Sequence, residues 1–277
     1  MSNDSKLMSG GSLLGARHVY SFTQLSSFRE CPYGFYLQKI ERNPDTVSNA
    51  FASQGTLIHD LLDQWAKGML TIRELPAEYD RRYPNEVVEE WPKMLAKKGY
   101  AEKAFQIGHD YFVNFDGFQG FKIISTEEKF RIDIAGRPFV GVVDMMMEDE
   151  NTGELIIVDH KSKSLAAFKK AEDEMYRQQL LYSCYAKEKF GKFPDRLMFN
   201  LFKEGGMKME RPFTQQEYDE AVKWASETMD LMESYDIMDY FQTKEVSPDH
   251  PDFFCTELCS CRKICPNGQA KPKWKHK

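Results

Sequence analysis

The chain contains no apolar run approaching the ~18 residues that a membrane-spanning helix requires, so no membrane span is expected. It also lacks an excess of positive charge. Its 37 lysines and arginines are outnumbered by 43 aspartates and glutamates, for a net charge of −6. Such a chain cannot grip nucleic acid over its whole surface, and any such contact must come from a local basic groove. Residues 1–17 are rich in Ser and Gly and hold no apolar signal core, so they are expected to form a flexible tail. Cysteine is scarce outside one short stretch: of six, four fall within residues 255–265. With no secretory signal, disulfides are not expected, and metal ligation becomes the leading use of that stretch. No internal repeat of useful length is visible.

What is present supports a real core. The 277 residues are 42% hydrophobic and 13% aromatic, enough for one large α/β domain or a core plus a small lobe. Ser21 or Thr23 can cap a short amphipathic helix that Cys31-Pro32 ends, because a residue before proline avoids helical angles. A second short helix is expected over Tyr33 to Ile40. Leu57, Ile58, Leu61, Leu62 and Trp65 give residues 50–68 a helical apolar face. Residues 70–118, punctuated by Pro76, Pro84 and Pro92, read as a helical lobe inserted before a sheet. Strands are expected at 121–134, 138–147, 154–161 and 195–203, a long helix at 165–190 and another at 214–235. Strands, then helix, then strand argue for a mixed α/β core.

The chemistry concentrates in two of those strands. Leu155-Ile156-Ile157-Val158 reads as a strand buried on both faces, running into Asp159-His160-Lys161. Asp159 and Lys161 are two apart, so in an extended chain both side chains point to one face, and His160 to the other. The preceding strand carries Gly141-Val142-Val143-Asp144, and the turn at 151–153 allows antiparallel pairing that can bring Asp144 near Asp159. Two carboxylates suit a hard divalent cation such as Mg²⁺. An ammonium beside them suits a phosphate or an activated water. The bland reading is a salt bridge at a strand end. Together the three groups form a kit for phosphodiester hydrolysis.

With those residues quoted, the chain resembles the PD-(D/E)XK nuclease superfamily, in its RecB-like exonuclease branch, similar to nucleases of CRISPR adaptation and phage recombination. Further motifs follow in the right order over about residues 20 to 266. The resemblance implies a restriction-endonuclease-like α/β fold: a mixed central sheet flanked by helices, with a helical insertion and a cysteine-rich C-terminal staple. It implies that Asp144 and Asp159 hold Mg²⁺ or Mn²⁺ and that Lys161 assists the attacking water. His59, in Gly55-Thr56-Leu57-Ile58-His59, corresponds to a histidine that reaches the metal. Glu127 fits a glutamate near the start of the first strand by its Glu-x-x-Phe spacing, with Glu128 as the alternative. Gln178 and Tyr182, four apart on one helical face, match an element that borders the pocket and touches the DNA backbone; Gln179 is the alternative to Gln178.

Cys255, Cys259 and Cys265 are separated by three and five residues, and Cys31 would complete a four-thiolate set for zinc or an iron–sulfur cluster. The resemblance favours [4Fe-4S] on Cys31, Cys255, Cys259 and Cys265. The family's usual spacing is two and five, so Cys261 stays open as a substitute. Cys184, mid-helix, reads as a small core residue.

The implied organisation is a tail at 1–17, a nuclease domain at 18–250, a cysteine segment at 251–266 packing with Cys31, and a basic tail at 267–277. Lys161, Lys163, Lys169 and Lys170 gather near the proposed site. The expected function is metal-dependent DNA exonuclease activity on ends or single strands, in recombination or repair, in the cytoplasm of a bacterial or phage-infected cell. A strand-annealing recombination protein is the expected partner. Two alternatives remain: a structure-specific endonuclease, and a cysteine-cluster DNA-binding or assembly module without catalysis.

Overall fold

Three strands in succession form one half of the sheet in a computed structural model that describes residues 18–235, 241–247 and 252–270. The expected tail at 1–17 and the basic residues 271–277 lie outside the described residues. Strand β1 (Phe121–Ile134) pairs antiparallel with β2 (Arg137–Asp149), which pairs antiparallel with β3 (Leu155–Lys161). Strand β4 (Arg196–Leu201) then lies parallel to β3, and β5 (Met207–Pro212) runs antiparallel to β4, for the order β1-β2-β3-β4-β5. A parallel pair requires a crossover. Helices α7 (Leu165–Lys170) and α8 (Glu172–Phe190) provide it.

The continuous apolar reading of β3 is explained by its surroundings, since Leu155 through His160 are all buried. One face of the sheet packs on α1 (Phe22–Glu30), α8 and α9 (Gln215–Ser234), through Phe28, Phe139, Ile157, Leu181, Phe199 and Met229. Beyond the other face, α3 (Ala50–Ala66) joins α4 (Leu75–Glu86) and α6 (Tyr100–Val113) in a second core built on Leu57, Leu61, Tyr79 and Phe112. A single turn, α5 (Lys93–Ala96), precedes α6. Between Cys31 and Glu41 the chain forms α2 (Pro32–Phe35) and a wide π turn at Tyr36–Ile40.

Three expectations change. Pro84, read as punctuation of the helical lobe, lies inside α4. It sits in the last turn, where only one backbone bond is forfeited before the helix stops. The long helix expected at 165–190 is two helices, broken at Ala171. Lys169 and Lys170 close the first and Glu172, Asp173 and Glu174 open the second, each charge matching the dipole end it occupies. Strand β5 was not expected. Its signal was Gly205-Gly206, both at positive φ, which returns the chain after β4.

Candidate active site

The ladder between β1 and β2 runs through Thr126↔Met145 and Glu128↔Val143, so Glu127 falls opposite Asp144. Glu127 adopts φ 47°, a left-handed conformation that a side-chain-bearing residue rarely takes. The local turn of the backbone carries its carboxylate toward the α3 side of the sheet. Glu128 goes elsewhere: it accepts hydrogen bonds from Tyr185 and forms an ion pair with Lys189.

Between β2 and β3 the last paired residues are Met145 and Val158, one step short of Asp144 and Asp159. There the strands separate, and Asp144 Oδ2 accepts a hydrogen bond from the His160 backbone N–H at 2.8 Å. His59, on α3, approaches from above. Its Nε2–H donates to the His160 carbonyl at 2.9 Å, because a carbonyl can only accept. That fixes the ring and turns Nδ1 to the carboxylates, 3.5 Å from Asp144 and 3.7 Å from Glu127. One ligand atom from each of His59, Glu127 and Asp144 lies within 4.8 Å of the others.

Asp159 and Lys161 share a face, as alternation requires, and Lys161 Nζ lies 2.8 Å from Asp159 Oδ2 and 3.0 Å from Oδ1. The hydrogen bond goes to Oδ1, and the buried Oδ2 is held by ion pairing with the ammonium alone. Lys161 also donates to Gln178 Oε1 at 3.2 Å, and Gln178 Nε2 donates to the Tyr182 hydroxyl at 3.4 Å. Gln179, by contrast, is buried and donates to the Met198 carbonyl at 2.6 Å, a core contact.

Burial dominates the electrostatics. It raises Asp144 and lifts Asp159 to about 6, while the Lys161 ammonium pulls Asp159 back and the Asp144 charge adds to the rise. Burial pushes His59 down, but the Asp144, Glu127 and Asp159 carboxylates outweigh it and raise it to about 9. For Lys161, burial is likewise overcome by Asp159 and Asp144, and the ammonium is held more firmly than usual. His160, on the opposite face, is driven well below its usual value by burial. Its Nδ1 therefore accepts from the Asn200 amide at 3.0 Å, and Asn200 also donates to Tyr111. Neither Asn200 nor Tyr111 was legible as a support of this site, because only the tertiary fold brings them under His160.

His59 Nδ1 with one carboxylate oxygen each from Glu127 and Asp144 makes a donor set for a hard divalent cation; Asp159, ion-paired with Lys161, is not part of that convergent group. The family model described as the PD-(D/E)XK nuclease superfamily matches residues 19–266. The chain belongs to the PD-(D/E)XK nuclease superfamily. Membership supports a hydrolytic nuclease. Among solved structures, the chain is similar to a protein of Eubacterium rectale named "Putative exonuclease", with 10% identity, a TM-score of 0.49 and coverage of 94% of this chain and 91% of that one. It is also similar to SSO0001, with 13% identity, a TM-score of 0.30 and coverage of 76% and 85%. No curated protein matches.

The second feature of this superfamily member is its cysteine segment. It packs on the segment that leads into α3: Val47 N–H donates to the Ser260 carbonyl, Asn49 to the Leu258 carbonyl, and Arg262 to the Val47 and Ser48 carbonyls. Cys31 caps α2, and its sulfur accepts from the backbone N–H groups of Gly34 at 3.3 Å and Lys244 at 3.4 Å. Cys255, Cys261 and Cys265 are buried, and all six cysteines are free thiols. Cys261 Sγ faces the Gly34 carbonyl at 3.7 Å in an apolar nook with Leu37 and Cys265. Cys184 packs at the edge of the main core. Among the described residues, no three cysteine sulfurs converge as tightly as the His59 group does.

Among the described residues, Lys163, Lys169 and Lys170 have no carboxylate within ion-pair distance. The first and last of them line a cleft of about 620 Å³ beside Cys31 and Cys259. The structure shows no helix long and apolar enough to cross a membrane among its described residues.

Proposed function

We propose that this protein is a divalent-metal-dependent DNA exonuclease of recombination or repair. The observation that carries this reading is the meeting of His59, Glu127 and Asp144 beside the Asp159–Lys161 pair. Asp144, Asp159 and His59 Nδ1 would hold Mg²⁺ or Mn²⁺, with Glu127 in reach. The ion, when bound, polarises a phosphoryl oxygen and makes water a better nucleophile.

The rest is work for the chain itself. The protonated Lys161 donates hydrogen bonds to the attacked phosphate and balances negative charge as it develops. Gln178 keeps the lysine on that side, and Tyr182 keeps Gln178 in place. The hydrogen bond from His59 to the His160 carbonyl fixes which imidazole nitrogen faces the ion. Glu127, the carboxylate not assigned to the ion, would take a proton from the attacking water. Lys163 and Lys170 offer charge to the phosphates of a strand crossing the end of β3.

We also propose that Cys31, Cys255, Cys259 and Cys265 hold a [4Fe-4S] cluster of structural role. A four-thiolate set serves zinc or an iron–sulfur cluster alike, and the resemblance to RecB-like nucleases is what favours the cluster. Such a cluster would close a loop of more than 200 residues and limit the unfolded state. Anaerobically purified protein should be brown and absorb in the visible, and Cys31→Ser should lose that absorbance. A strand-annealing protein is the proposed partner and the cytoplasm the proposed location.

The test uses linear and closed circular DNA, each with Mg²⁺, Mn²⁺ or a chelator. An exonuclease degrades the linear form only, and only with metal. Cleavage of the closed circle would instead mark an endonuclease, and binding without any cleavage a non-catalytic module.

A further inference from the structure

Where β3 leaves β2, the sheet opens. Tyr20 pairs with Phe139 at one end of this β2 edge, and β3 begins to pair at Met145. Between them, Gly141 to Val143 have no strand on that side among the described residues. A cleft of about 560 Å³ occupies the gap, within the ~300–1,000 Å³ range of small-molecule sites. Its walls are mixed in a particular way. Val140, Val142 and Tyr182 make an apolar side. Ser21 caps the nine-residue helix α1, its Oγ accepting from Gln24 N–H, and Thr23 stands in the first turn, where the N–H groups of Phe22 and Thr23 have no intrahelical acceptor. Lys129, exposed and directly across the ladder from Val142, has no carboxylate within ion-pair distance among the described residues. Gln178 forms the remaining boundary and is the side chain hydrogen-bonded to Lys161.

We infer that this cleft seats one unpaired nucleotide of the strand being cut, next to the scissile phosphate. The inference rests on the nuclease reading and adds where, and by which residues, the unpaired nucleotide is held. An apolar wall takes a base. Hydroxyls, helix N–H groups and an unpaired ammonium take the phosphate attached to it. Continuity through Gln178 puts the seat beside the reacting group rather than on a remote surface. A base inside a duplex cannot enter such a cleft without leaving its stack and its partner. The seat therefore selects strand ends that are single-stranded or frayed.

The experiment measures binding, with Ca²⁺ replacing Mg²⁺, by anisotropy of labelled single strands and of a blunt duplex, and follows Mg²⁺-dependent cleavage separately. In the wild-type protein, moving one abasic residue along the single strand should weaken binding about tenfold or more at one or two adjacent positions. Val142→Trp, which fills the apolar side, should weaken binding of the intact strand by a similar factor and erase the abasic effect. Lys129→Ala should weaken binding and lower the salt slope by about one. A flat abasic profile, or Val142→Trp binding the intact strand as tightly as wild type, overturns the seat. So does an intact duplex that binds as tightly as the single strand. If Val142→Trp does not fold, the abasic scan in the wild-type protein decides alone. The two readings fail separately. Cleavage with a flat profile removes the seat and leaves the nuclease, whereas a localised abasic effect without cleavage does the reverse.

Discussion

Glu127 stands opposite Asp144 across the β1–β2 ladder, and it does so with a left-handed backbone at φ 47°. That conformation costs a residue with a side chain about 1 kcal/mol or more, and such strain persists only where the surroundings impose it. Glu127 is itself one of the three members of the only convergent metal-ligand group found among the described residues.

Glu127→Gly should separate strain from function. Glycine accepts positive φ freely, and the change also removes a negative charge from beside Asp144. Metal-free variant should melt at or above the wild-type temperature while losing most of its DNA cleavage. Thermal denaturation and a cleavage assay on the same preparation check this. A melting temperature several degrees lower would contradict the assignment of strain.

Gly141 is constrained by packing rather than by φ. A Cβ there would meet Phe130 Cζ at 2.4 Å and Tyr182 Cε1 at 2.9 Å. Gly141→Ala should therefore destabilise by about 1–3 kcal/mol through overpacking. Displacing Tyr182 also loosens the path through Gln178 to Lys161, so kcat should fall more than KM rises. Denaturant midpoints and steady-state kinetics test both parts, and a variant with wild-type kcat would break the proposed path.

How much of this was legible in the sequence depends on the range of the interaction. Alternation places Asp159 and Lys161 on one face and His160 on the other from local geometry alone, and the apolar run of β3 announces its burial. Register is not local. Asp144 and Asp159 are neighbours only because the turn at 151–153 sets the pairing Met145↔Val158. The choice between Glu127 and Glu128 depends on a φ reversal that alternation does not predict. Asn200 and Tyr111 support His160 through contacts from β4 and α6, with no nearby signal. The break at Ala171 was readable in the charges on either side, and β5 in Gly205-Gly206, although periodicity alone does not reveal either.

Lys203 gives a pH dependence independent of the acidic site. Its ammonium lies 4.1 Å from the centre of the Phe51 ring, and burial lowers it to about 8 from 10.5. Between those values the unfolded chain carries more protons than the folded one, so this group makes stability rise with pH from about 8 to 10.5. Below 8 its full penalty remains. Lys203→Met should be more stable than wild type at pH 7, and the difference should shrink as pH rises through that window. Denaturation of both proteins between pH 7 and 10.5 measures it; a constant difference would show that the lysine is not buried as described.

The most direct measurement concerns Lys161. Cleavage of linear DNA by Lys161→Ala and wild type, with Mg²⁺ or Mn²⁺ and with DNA binding measured in parallel, isolates the ammonium beside Asp159. The rate should fall by at least about 10²-fold while binding is retained. Cleavage at the wild-type rate by the alanine variant would contradict the account.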